Sequence, residues 1–401
     1  MQDWHFYRLV LPFVPARGRL NAATLSPAIA GELERILRRY RCVGASLSLF
    51  DEKGAIGGLA FGSARRGMVA GLDTVYRAAS VSKLATALGA MRLQEQGRVA
   101  LDADVNRYLP FSLRHPAAPD TPITLRMLLS HTAGIHDGVA YNAGIGQGET
   151  LEAILRGDSF CAHLPGESWE YSNLGAGIAG AVLEAAAGMD FEALMQETVF
   201  QPLGIAASFY PQKIASPLAD AYRILPPRRG PALDGAKRQA RPLPPPEVNA
   251  QQHYALAHGN LCLSAPALAK LGAAGMQPGF LTAESLAAMR RPIAGFGARA
   301  NNLSQGVGTF ILQDPSLSPR PLYGHQGMAY GAVHALFFDP AIRRGVALLT
   351  SGASEARRGV LADLNAGVIR YLWHTVFNEK GMERSGWIGR RKWCAGTAWP
   401  G

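Results

Sequence analysis

The sequence predicts a mixed α/β (α+β) protein, with an antiparallel sheet built from N- and C-terminal strands, flanking helices and a mostly helical inserted lobe. Strand-like runs occur near the start and again after residue 307, and the segments between them have helical spacing. With 401 residues and 48% apolar content, the chain can bury a core that needs no disulfide or metal support.

The pattern of the N-terminal part of the sequence predicts one helix followed by a β-hairpin. Residues 26–41 place apolar side chains on one side of a helix and arginines around the other. Two strand-like runs, 44–50 and 55–61, are separated by the turn sequence Asp51-Glu52-Lys53-Gly54, which indicates antiparallel pairing. We take residues 1–25 as an N-terminal extension.

The middle of the chain is predicted to be helical, and the strands return near its end. The predicted helices are 80–96, 121–131, 149–156, 174–187 and 191–198. The later strands are 307–312, 321–325, 332–338 and 345–350, followed by a helix over 360–377. A proline- and arginine-rich run over 223–248 has no periodicity and predicts an exposed excursion.

These elements predict one domain over 26–377 with two lobes. The sheet lobe comprises 26–78 and 250–377, and the helical lobe comprises 79–249. Residues 378–401 mix glycine, tryptophan and charge without periodicity, so we expect a poorly ordered basic tail.

The net charge of +10 is concentrated in two segments. Residues 222–241 have a balance of +5 and residues 379–401 a balance of +3, so the rest of the chain is nearly neutral. No nucleic-acid-binding signature accompanies either segment, and we expect no nucleic-acid partner. Solvated basic loops are the simplest interpretation, although contact with an anionic surface stays open.

The cysteines and the apolar runs exclude other classes. Four cysteines are scattered without ligand spacing, so we expect no metal site, redox site or cofactor: Cys42, Cys161, Cys262 and Cys394. No run of about 18 apolar residues could span a bilayer, so we expect no integral membrane association. Asp3 stands where a signal peptide has positive charge, which favours a cytoplasmic protein.

Ser80-Val81-Ser82-Lys83 is the first motif with chemical content. On a helix that begins at Ser80, Lys83 lies one turn on and near the same face, so its amine can reach the serine hydroxyl. The helix N-terminus favours an oxyanion beside the serine. Burial in an apolar helix would let lysine lose its proton and act as a base, whereas arginine would stay charged. The alternative is a capping serine followed by a solvated lysine.

Two later motifs add polar groups. Tyr171-Ser172-Asn173 follows a turn-rich stretch, and its phenol and amide suit proton transfer and binding of a substrate carbonyl. His325-Gln326-Gly327 is predicted at a strand end, where Gly327 would allow close approach of a ligand. The N–H of Met328 is a candidate partner for that of Ser80 in an oxyanion hole. Each motif alone is equally compatible with a structural role.

As an ordered set, Ser80-x-x-Lys83, Tyr171-x-Asn173 and His325-x-Gly327 resembles the beta-lactamase-related serine hydrolases: class C beta-lactamases, penicillin-binding D,D-peptidases and similar esterases. The segments Tyr76-Arg77-Ala78-Ala79, 97–102 and 124–134 support the resemblance, which spans about 26–377. It implies a sheet packed on a helical lobe with the active site in the groove between them. Related proteins are often secreted or periplasmic, so export stays open.

The resemblance also implies roles for these residues. Ser80 would be the acylated nucleophile, Lys83 and Tyr171 the proton-transfer pair, and Asn173 a partner of both substrate and Lys83. His325 and Gly327 would line the pocket opposite. His131, in the Leu-Leu-Ser-His-Thr stretch, looks like a structural residue.

One departure from the family pattern bears on the substrate, which we expect to be a small acyl compound. Beta-lactamases usually have Lys-Thr-Gly where this chain has His325-Gln326-Gly327, and a neutral histidine binds a carboxylate less strongly than an ammonium does. We therefore expect esterase or peptidase activity rather than efficient beta-lactam hydrolysis. The alternatives are a D,D-peptidase or D-aminopeptidase, and a penicillin-binding receptor acylated without turnover. The oligomeric state stays open.

Overall fold

The computed structural model describes residues 8–9, 11–145, 148–225, 228–243, 245–295 and 302–378. The strands are β1 (Leu20–Ala23), β2 (Gly44–Asp51), β3 (Gly54–Arg65), β4 (Met68–Val69), β5 (Val75–Arg77), β6 (Ala207–Ser208), β7 (Tyr222–Leu225), β8 (Arg228–Pro231), β9 (Cys262–Ser264), β10 (Ala294–Gly295), β11 (Leu303–Gln305), β12 (Phe310–Leu312), β13 (Leu322–Ala329), β14 (Ala332–Asp339), β15 (Arg344–Gly352), β16 (Arg357–Arg358) and β17 (Leu361–Ala362). The α-helices are α1 (Pro27–Arg39), α2 (Ser82–Glu95), α3 (Leu125–Leu129), α4 (Val139–Gly144), α5 (Leu151–Leu155), α6 (Asn173–Ala187), α7 (Phe191–Met195), α8 (Leu233–Gln239), α9 (Tyr254–Gly259), α10 (Ala265–Ala274), α11 (Ala283–Arg290) and α12 (Asp363–Tyr371).

The main sheet joins the two ends of the chain, as predicted. Its order within the described residues is β1-β3-β2-β15-β14-β13-β12-β11-β10, with β4 paired to the end of β3. All of these pairs are antiparallel, and β2 and β3 form the expected hairpin, with Leu47 opposite Leu59. The fold class predicted from the sequence, a mixed α/β protein with a large antiparallel sheet, is therefore confirmed.

Helices cover both faces of the sheet. Alternate residues of a strand point to opposite faces, and in β15 Val346 and Leu348 join the core cluster that includes α1 and α12. Their neighbours Ala347 and Leu349 join the cluster that includes α10 and the helical lobe. Because both faces are buried, the centre of the strand, residues 346–349, is a continuous apolar run instead of alternating with polar residues.

Helix α2 is the buried centre of the helical lobe. Apolar residues surround it on all sides, and eleven of its fourteen residues are buried, including Lys83. A 3-10 turn over Ala79–Val81 precedes it, so Ser80 lies in that turn rather than in the first turn of the α-helix. The predicted helix over 80–96 is otherwise confirmed.

The insertion and the N-terminal extension contain regular structure that the sequence did not predict. The 223–248 run, expected to be an exposed excursion without periodicity, contains most of the hairpin β7–β8 and helix α8, so the chain has regular structure over 223–239 that the sequence did not predict. Hairpin strands with few apolar side chains give little alternating signal, although Ile224 is buried. Strand β1 pairs with β3 and lies inside the predicted extension. The predicted tail over 378–401 lies, apart from residue 378, outside the described residues.

The glycine-rich run 175–180 resembles a dinucleotide-binding pattern by its letters only, because it lies inside helix α6. A Cβ atom at Gly180 would lie 2.5 Å from the Ala257 Cβ, and one at Gly177 would lie 2.9 Å from the Tyr254 carbonyl oxygen. These glycines therefore allow α6 and α9 to pack closely, which is how α9 reaches the site described below.

No helix in the described ranges is by itself long and apolar enough to cross a bilayer. Among the same residues, no cluster of three or more histidine, cysteine, aspartate or glutamate side chains could hold a metal ion. Three of the four cysteines are described, and all three are free thiols: Cys42, Cys161 and Cys262.

Candidate active site

Ser80 lies in a tight turn between β5 and α2. Ala79, the residue before it, has φ of 50°, in the left-handed region that costs a residue with a Cβ about 1 kcal/mol. The Ser82 hydroxyl donates to the Ala79 carbonyl at 2.6 Å, and the Ala78 N–H donates to the Leu261 carbonyl at 2.7 Å. These bonds hold the strained turn in place and fix the position of the Ser80 hydroxyl.

The Lys83 amine lies beside that hydroxyl and is almost completely buried, with 3% of the residue exposed. Nζ is 3.2 Å from Ser80 Oγ, 2.8 Å from Asn173 Oδ1 and 2.8 Å from the His258 carbonyl oxygen. Burial lowers the pKa of Lys83 to about 7, and the charge of Asp137 opposes part of that effect. Near neutral pH a large fraction of this amine is therefore uncharged and can accept a proton.

Tyr171 brings a phenol to the same place. Its hydroxyl hydrogen-bonds with Ser80, and burial raises the pKa of the phenol above its ordinary value despite that bond. Lys83 Nζ lies 5.0 Å from the centre of the tyrosine ring. Because the raised pKa keeps the phenol protonated at neutral pH, Tyr171 is a proton donor there, whereas Lys83 is an acceptor.

The His131 ring packs against the Tyr171 ring, which agrees with the structural role expected for His131. The two rings are 4.5 Å apart, and His131 Nδ1 accepts the N–H of Ser172 at 3.2 Å. Burial, together with the neighbouring Lys83 and His325, lowers the pKa of His131 well below its usual value. The imidazole is therefore neutral, with its proton on Nε2.

Asn173 is the first residue of α6, and Ser172 caps that helix by accepting the N–H of Gly175 at 2.8 Å. The Asn173 amide makes two bonds within the protein. Oδ1 accepts from Lys83, and Nδ2 donates to Asp137 at 2.7 Å. The geometry thus places Asn173 as a partner of Lys83, and binding of a substrate carbonyl by its remaining N–H stays a prediction.

His325 lies on β13, across the site from Lys83. Its ring stacks on Phe310 with the centroids 4.1 Å apart, and Nδ1 is 2.6 Å from the Gln326 carbonyl oxygen. A carbonyl oxygen can only accept a hydrogen bond, so Nδ1 carries the proton and Nε2 of the neutral ring is unprotonated. Burial and the Lys83 charge lower the pKa of His325 to about 3. This imidazole is an uncharged group at any physiological pH.

Gly327 allows a close approach, but the group that approaches it is part of the protein. A Cβ atom at this position would lie 2.4 Å from the Ala78 carbonyl oxygen and 3.3 Å from the Ala79 Cβ. Strand β13 therefore packs directly on the turn that carries Ser80. Met328 follows on the same strand, and its proposed role in the oxyanion hole stays a prediction.

Replacing Gly327 with alanine should lower the stability of the protein and displace the Ser80 turn together. The new methyl group meets backbone, which must shift, and overpacking of this kind costs about 1–3 kcal/mol. Chemical denaturation measures the first effect, and the rate at which a serine-reactive probe labels Ser80 measures the second. Gly230→Ala is the control, because a Cβ there meets nothing within 4 Å. A Gly327→Ala protein as stable and as readily labelled as the parent contradicts this packing.

Residues from these segments line a cavity of about 450 Å³. Of the predicted site residues, Ser80, Tyr171, His325 and Met328 line it, whereas Lys83, Asn173 and Gly327 lie behind this wall. The remaining lining residues are Trp169, Glu170, Phe310, Gln326, Arg357, Gly359 and Val360. The structure thus brings all of the predicted residues to one place, even though they come from three distant stretches of the chain.

Sequence reasoning missed the wall formed by the hairpin β16–β17. Arg357 and Val360 line the cavity from this hairpin, and the Gln326 side chain anchors it. Gln326 Nε2 donates to the Val360 carbonyl, and its Oε1 accepts the Ala362 N–H at 2.9 Å and an Asn365 N–H at 3.0 Å. The middle residue of His325-Gln326-Gly327 is therefore bound to this wall, and no signal in the sequence spacing indicated it.

This arrangement of residues agrees with the comparison to known families. The family model described as Beta-lactamase matches residues 29–369. The chain belongs to the beta-lactamase family. It therefore has the beta-lactamase fold of serine-hydrolase type, and the resemblance expected from the three motifs is confirmed.

Several known proteins are similar to this chain over most of its length. Esterase EstB of Burkholderia gladioli is 32% identical, over 86% of this chain and 95% of that protein. Penicillin-binding protein 4 of Amycolatopsis lactamdurans is 27% identical, over 77% of this chain and 81% of its own. Among solved structures, EstCE1, a hydrolase with promiscuous acyltransferase activity, is 27% identical with a TM-score of 0.69, covering 86% of this chain and 98% of that one.

Proposed function

We propose that this protein is a serine hydrolase that forms an acyl-enzyme at Ser80 and acts best on esters with an uncharged acyl group. The observation that carries the proposal is the buried Lys83 amine, 3.2 Å from the Ser80 hydroxyl and with its pKa lowered to about 7. A lysine in that state is the general base that a serine nucleophile needs.

The proposed acylation moves one proton from Ser80 through Lys83 and Tyr171 to the leaving group. Lys83 accepts the Ser80 proton while Oγ forms a bond to the substrate carbonyl carbon. The resulting oxyanion is stabilised by the N–H groups of Ser80 and Met328. Tyr171 donates its proton to the leaving oxygen as the ester bond breaks, and Lys83 returns a proton to the phenol. Water then hydrolyses the acyl-enzyme by the same proton transfers in reverse order.

The neutral His325 supports the preference for esters. A hydrogen bond to a charged group contributes about 1.5–3 kcal/mol, which corresponds to about 10- to 150-fold in affinity. His325 is uncharged, with its proton held by the Gln326 carbonyl, so it cannot form an ion pair with a substrate carboxylate. Similarity to EstB and to EstCE1 adds support from a second direction.

The guanidinium of Arg357 favours a second candidate, a D,D-peptidase or D-aminopeptidase. Arg357 is half-buried in the cavity wall, where it provides a positive charge for a peptide carboxylate. Similarity to penicillin-binding protein 4 agrees with this alternative. A receptor that is acylated without turnover is the third candidate, and it differs from both hydrolases only in the absence of deacylation.

A substrate panel separates the candidates. We expect p-nitrophenyl acetate and butyrate to be hydrolysed with kcat/KM about 100-fold above a chromogenic cephalosporin, the difference that one lost ion pair allows. A D-alanine p-nitroanilide and a D-alanyl-D-alanine peptide serve as peptidase substrates. A cephalosporin or peptide rate equal to the ester rate contradicts the ester preference. A burst of p-nitrophenol with no steady state indicates the receptor.

A further inference from the structure

A carboxylate outside the cavity is hydrogen-bonded to Asn173, the residue that binds the proposed base. Asp137 lies in the loop before α4 and accepts three hydrogen bonds from the start of α6. Oδ1 accepts from the Ser172 hydroxyl at 3.2 Å and from the Leu174 N–H at 2.9 Å. Oδ2 accepts from Asn173 Nδ2 at 2.7 Å. The Asp137 backbone is held in turn, because its carbonyl accepts from the Asn142 side chain at 3.1 Å.

The bond to Asp137 decides which way the Asn173 amide faces. A carboxylate accepts and cannot donate, so Asn173 must present its NH2 group to Asp137 and its oxygen to the other side. The oxygen meets Lys83 Nζ at 2.8 Å. If the amide were rotated, its NH2 group would face the lysine amine. The hydrogen bond between Asn173 Oδ1 and Lys83 Nζ would then be lost, and the NH2 group would repel a protonated amine. Lys83 would then keep only the His258 carbonyl as an acceptor besides Ser80.

The charge of Asp137 acts on Lys83 as well. It raises the pKa of the lysine against the larger opposing effect of burial. Asp137 is not among the residues that line the cavity, so it reaches the reaction only through Asn173 and through the electric field at Lys83.

We infer that Asp137 is a positioning residue for acylation: its carboxylate orients the Asn173 amide, which holds the Lys83 amine against the Ser80 hydroxyl. This inference deepens the proposed function and rests on it. It gives a chain of contacts from Asp137 through Asn173 and Lys83 to Ser80, in which only the last two groups exchange protons.

A capping role for α6 is the competing explanation, and it predicts different results. Ser172 already caps this helix through the Gly175 N–H, so a purely capping Asp137 would affect stability alone. A positioning role affects the rate per folded molecule and its pH dependence. The two are separated by a pH profile of kcat/KM, which reports the ionisation of the free enzyme.

The test compares Asp137→Asn with Asp158→Asn, assayed with p-nitrophenyl acetate across pH 5 to 10. Asp158 is the matched control because it also accepts hydrogen bonds at the start of a helix. Its carboxylate caps α4 through the N–H groups of Val139 and Ala140, which follow Asp137 in the chain by two and three residues. We expect Asp137→Asn to lose about 10- to 100-fold in kcat/KM, the effect of a small misplacement of a reacting group. The midpoint of the acid limb of its kcat/KM profile should lie at a lower pH than in the parent, since the charge that raised the lysine pKa is gone. The control should change neither.

Unchanged kcat/KM per folded molecule with an unchanged acid limb overturns the inference, even if Asp137→Asn melts earlier. Should that variant not fold, Asp137→Glu replaces it: the charge is kept, so the limb should stay in place while the longer side chain displaces Asn173 and lowers the rate. A parental rate in Asp137→Glu then overturns the inference.

A second readout does not depend on turnover and separates this inference from the proposed function. Titration of lysine labelled with 13C at Cε follows the Lys83 amine by NMR, with Lys83→Met identifying its signal. A lower midpoint in Asp137→Asn supports the coupling, and an unchanged midpoint overturns it. Absence of Ser80-dependent turnover in the parent rejects the proposed function alone, because the NMR titration still reports on Asp137.

Discussion

Replacing Ser80 with alanine should lower ester turnover by about 10⁴- to 10⁶-fold, the loss found when a serine nucleophile is removed from a hydrolase. The reason is chemical: within the described ranges, no side-chain hydroxyl other than that of Ser80, at 3.2 Å, is hydrogen-bonded to the Lys83 amine. The alanine fits the same turn, so the protein should remain folded. The measurement is the steady-state rate with p-nitrophenyl acetate, together with a thermal melt.

The matched control is Ser82→Ala, which removes a buried hydroxyl two residues away. Ser82 Oγ donates to the Ala79 carbonyl at 2.6 Å and accepts the Leu261 N–H at 3.1 Å. Its loss should therefore lower the melting temperature while turnover per folded molecule stays within about tenfold of the parent, since a positioning contact is lost rather than a reacting group. Turnover that survives Ser80→Ala, or that disappears equally in Ser82→Ala, contradicts the assignment of Ser80 as nucleophile.

Replacing Lys83 with methionine should remove activity and change how stability depends on pH. Methionine has an unbranched side chain one atom shorter and cannot accept a proton, so we expect turnover to fall by about 10²- to 10⁴-fold, the usual contribution of a general base. The parent itself should lose kcat/KM as pH falls through about 7, because the amine becomes protonated there.

The stability effect has a definite sign. The pKa of Lys83 is about 7 in the folded protein and has its ordinary value of 10.5 in the unfolded chain. Between these two values the unfolded chain binds more protons, so the parental free energy of unfolding rises with pH by at most about 1.4 kcal/mol per pH unit. Lys83→Met lacks this contribution. The variant should therefore be most stable relative to the parent at pH 7 and below.

Urea denaturation of both proteins from pH 6 to 10 measures this difference. Lys270→Met is the control for activity, because its amine donates to the Gly204 carbonyl at the surface, far along the chain from the site motifs. A difference in unfolding free energy between parent and Lys83→Met that does not change with pH means that the lysine is not destabilised by burial. The proposal that it acts as a neutral base then fails.

The sequence predicted the part of the site that depends on local geometry. Ser80 and Lys83 are three residues apart, so helical spacing alone brings their side chains together. Tyr171, Asn173 and His325 come from other stretches, and only the ordered resemblance joined them to that pair. The sheet was predictable for a similar reason, because apolar runs at both ends of the chain need a common core.

What the sequence did not predict depends on contacts between loops. Asp137 binds the Ser172 hydroxyl, 35 residues away, and Gln326 binds the Val360 carbonyl, 34 residues away. Single polar contacts of this kind leave no periodic pattern in the sequence. The hairpin β7–β8 was not predicted for the same reason: its paired strands show little alternation of apolar and polar residues. Gly327 is a related case: the sequence predicted close approach of a ligand there, which stays a prediction, whereas the structure shows the Ser80 turn lying against this glycine.

The central claim is that the Ser80 oxygen carries the acyl group during the reaction. Mass spectrometry of protein quenched in acid within milliseconds of mixing with p-nitrophenyl butyrate tests it directly, followed by proteolysis to locate the modified residue. We expect a single butyryl group on the peptide that contains Ser80, and none in Ser80→Ala. A butyryl group on another residue, or rapid ester hydrolysis with no acylated protein even when deacylation is slowed at low pH, would contradict it.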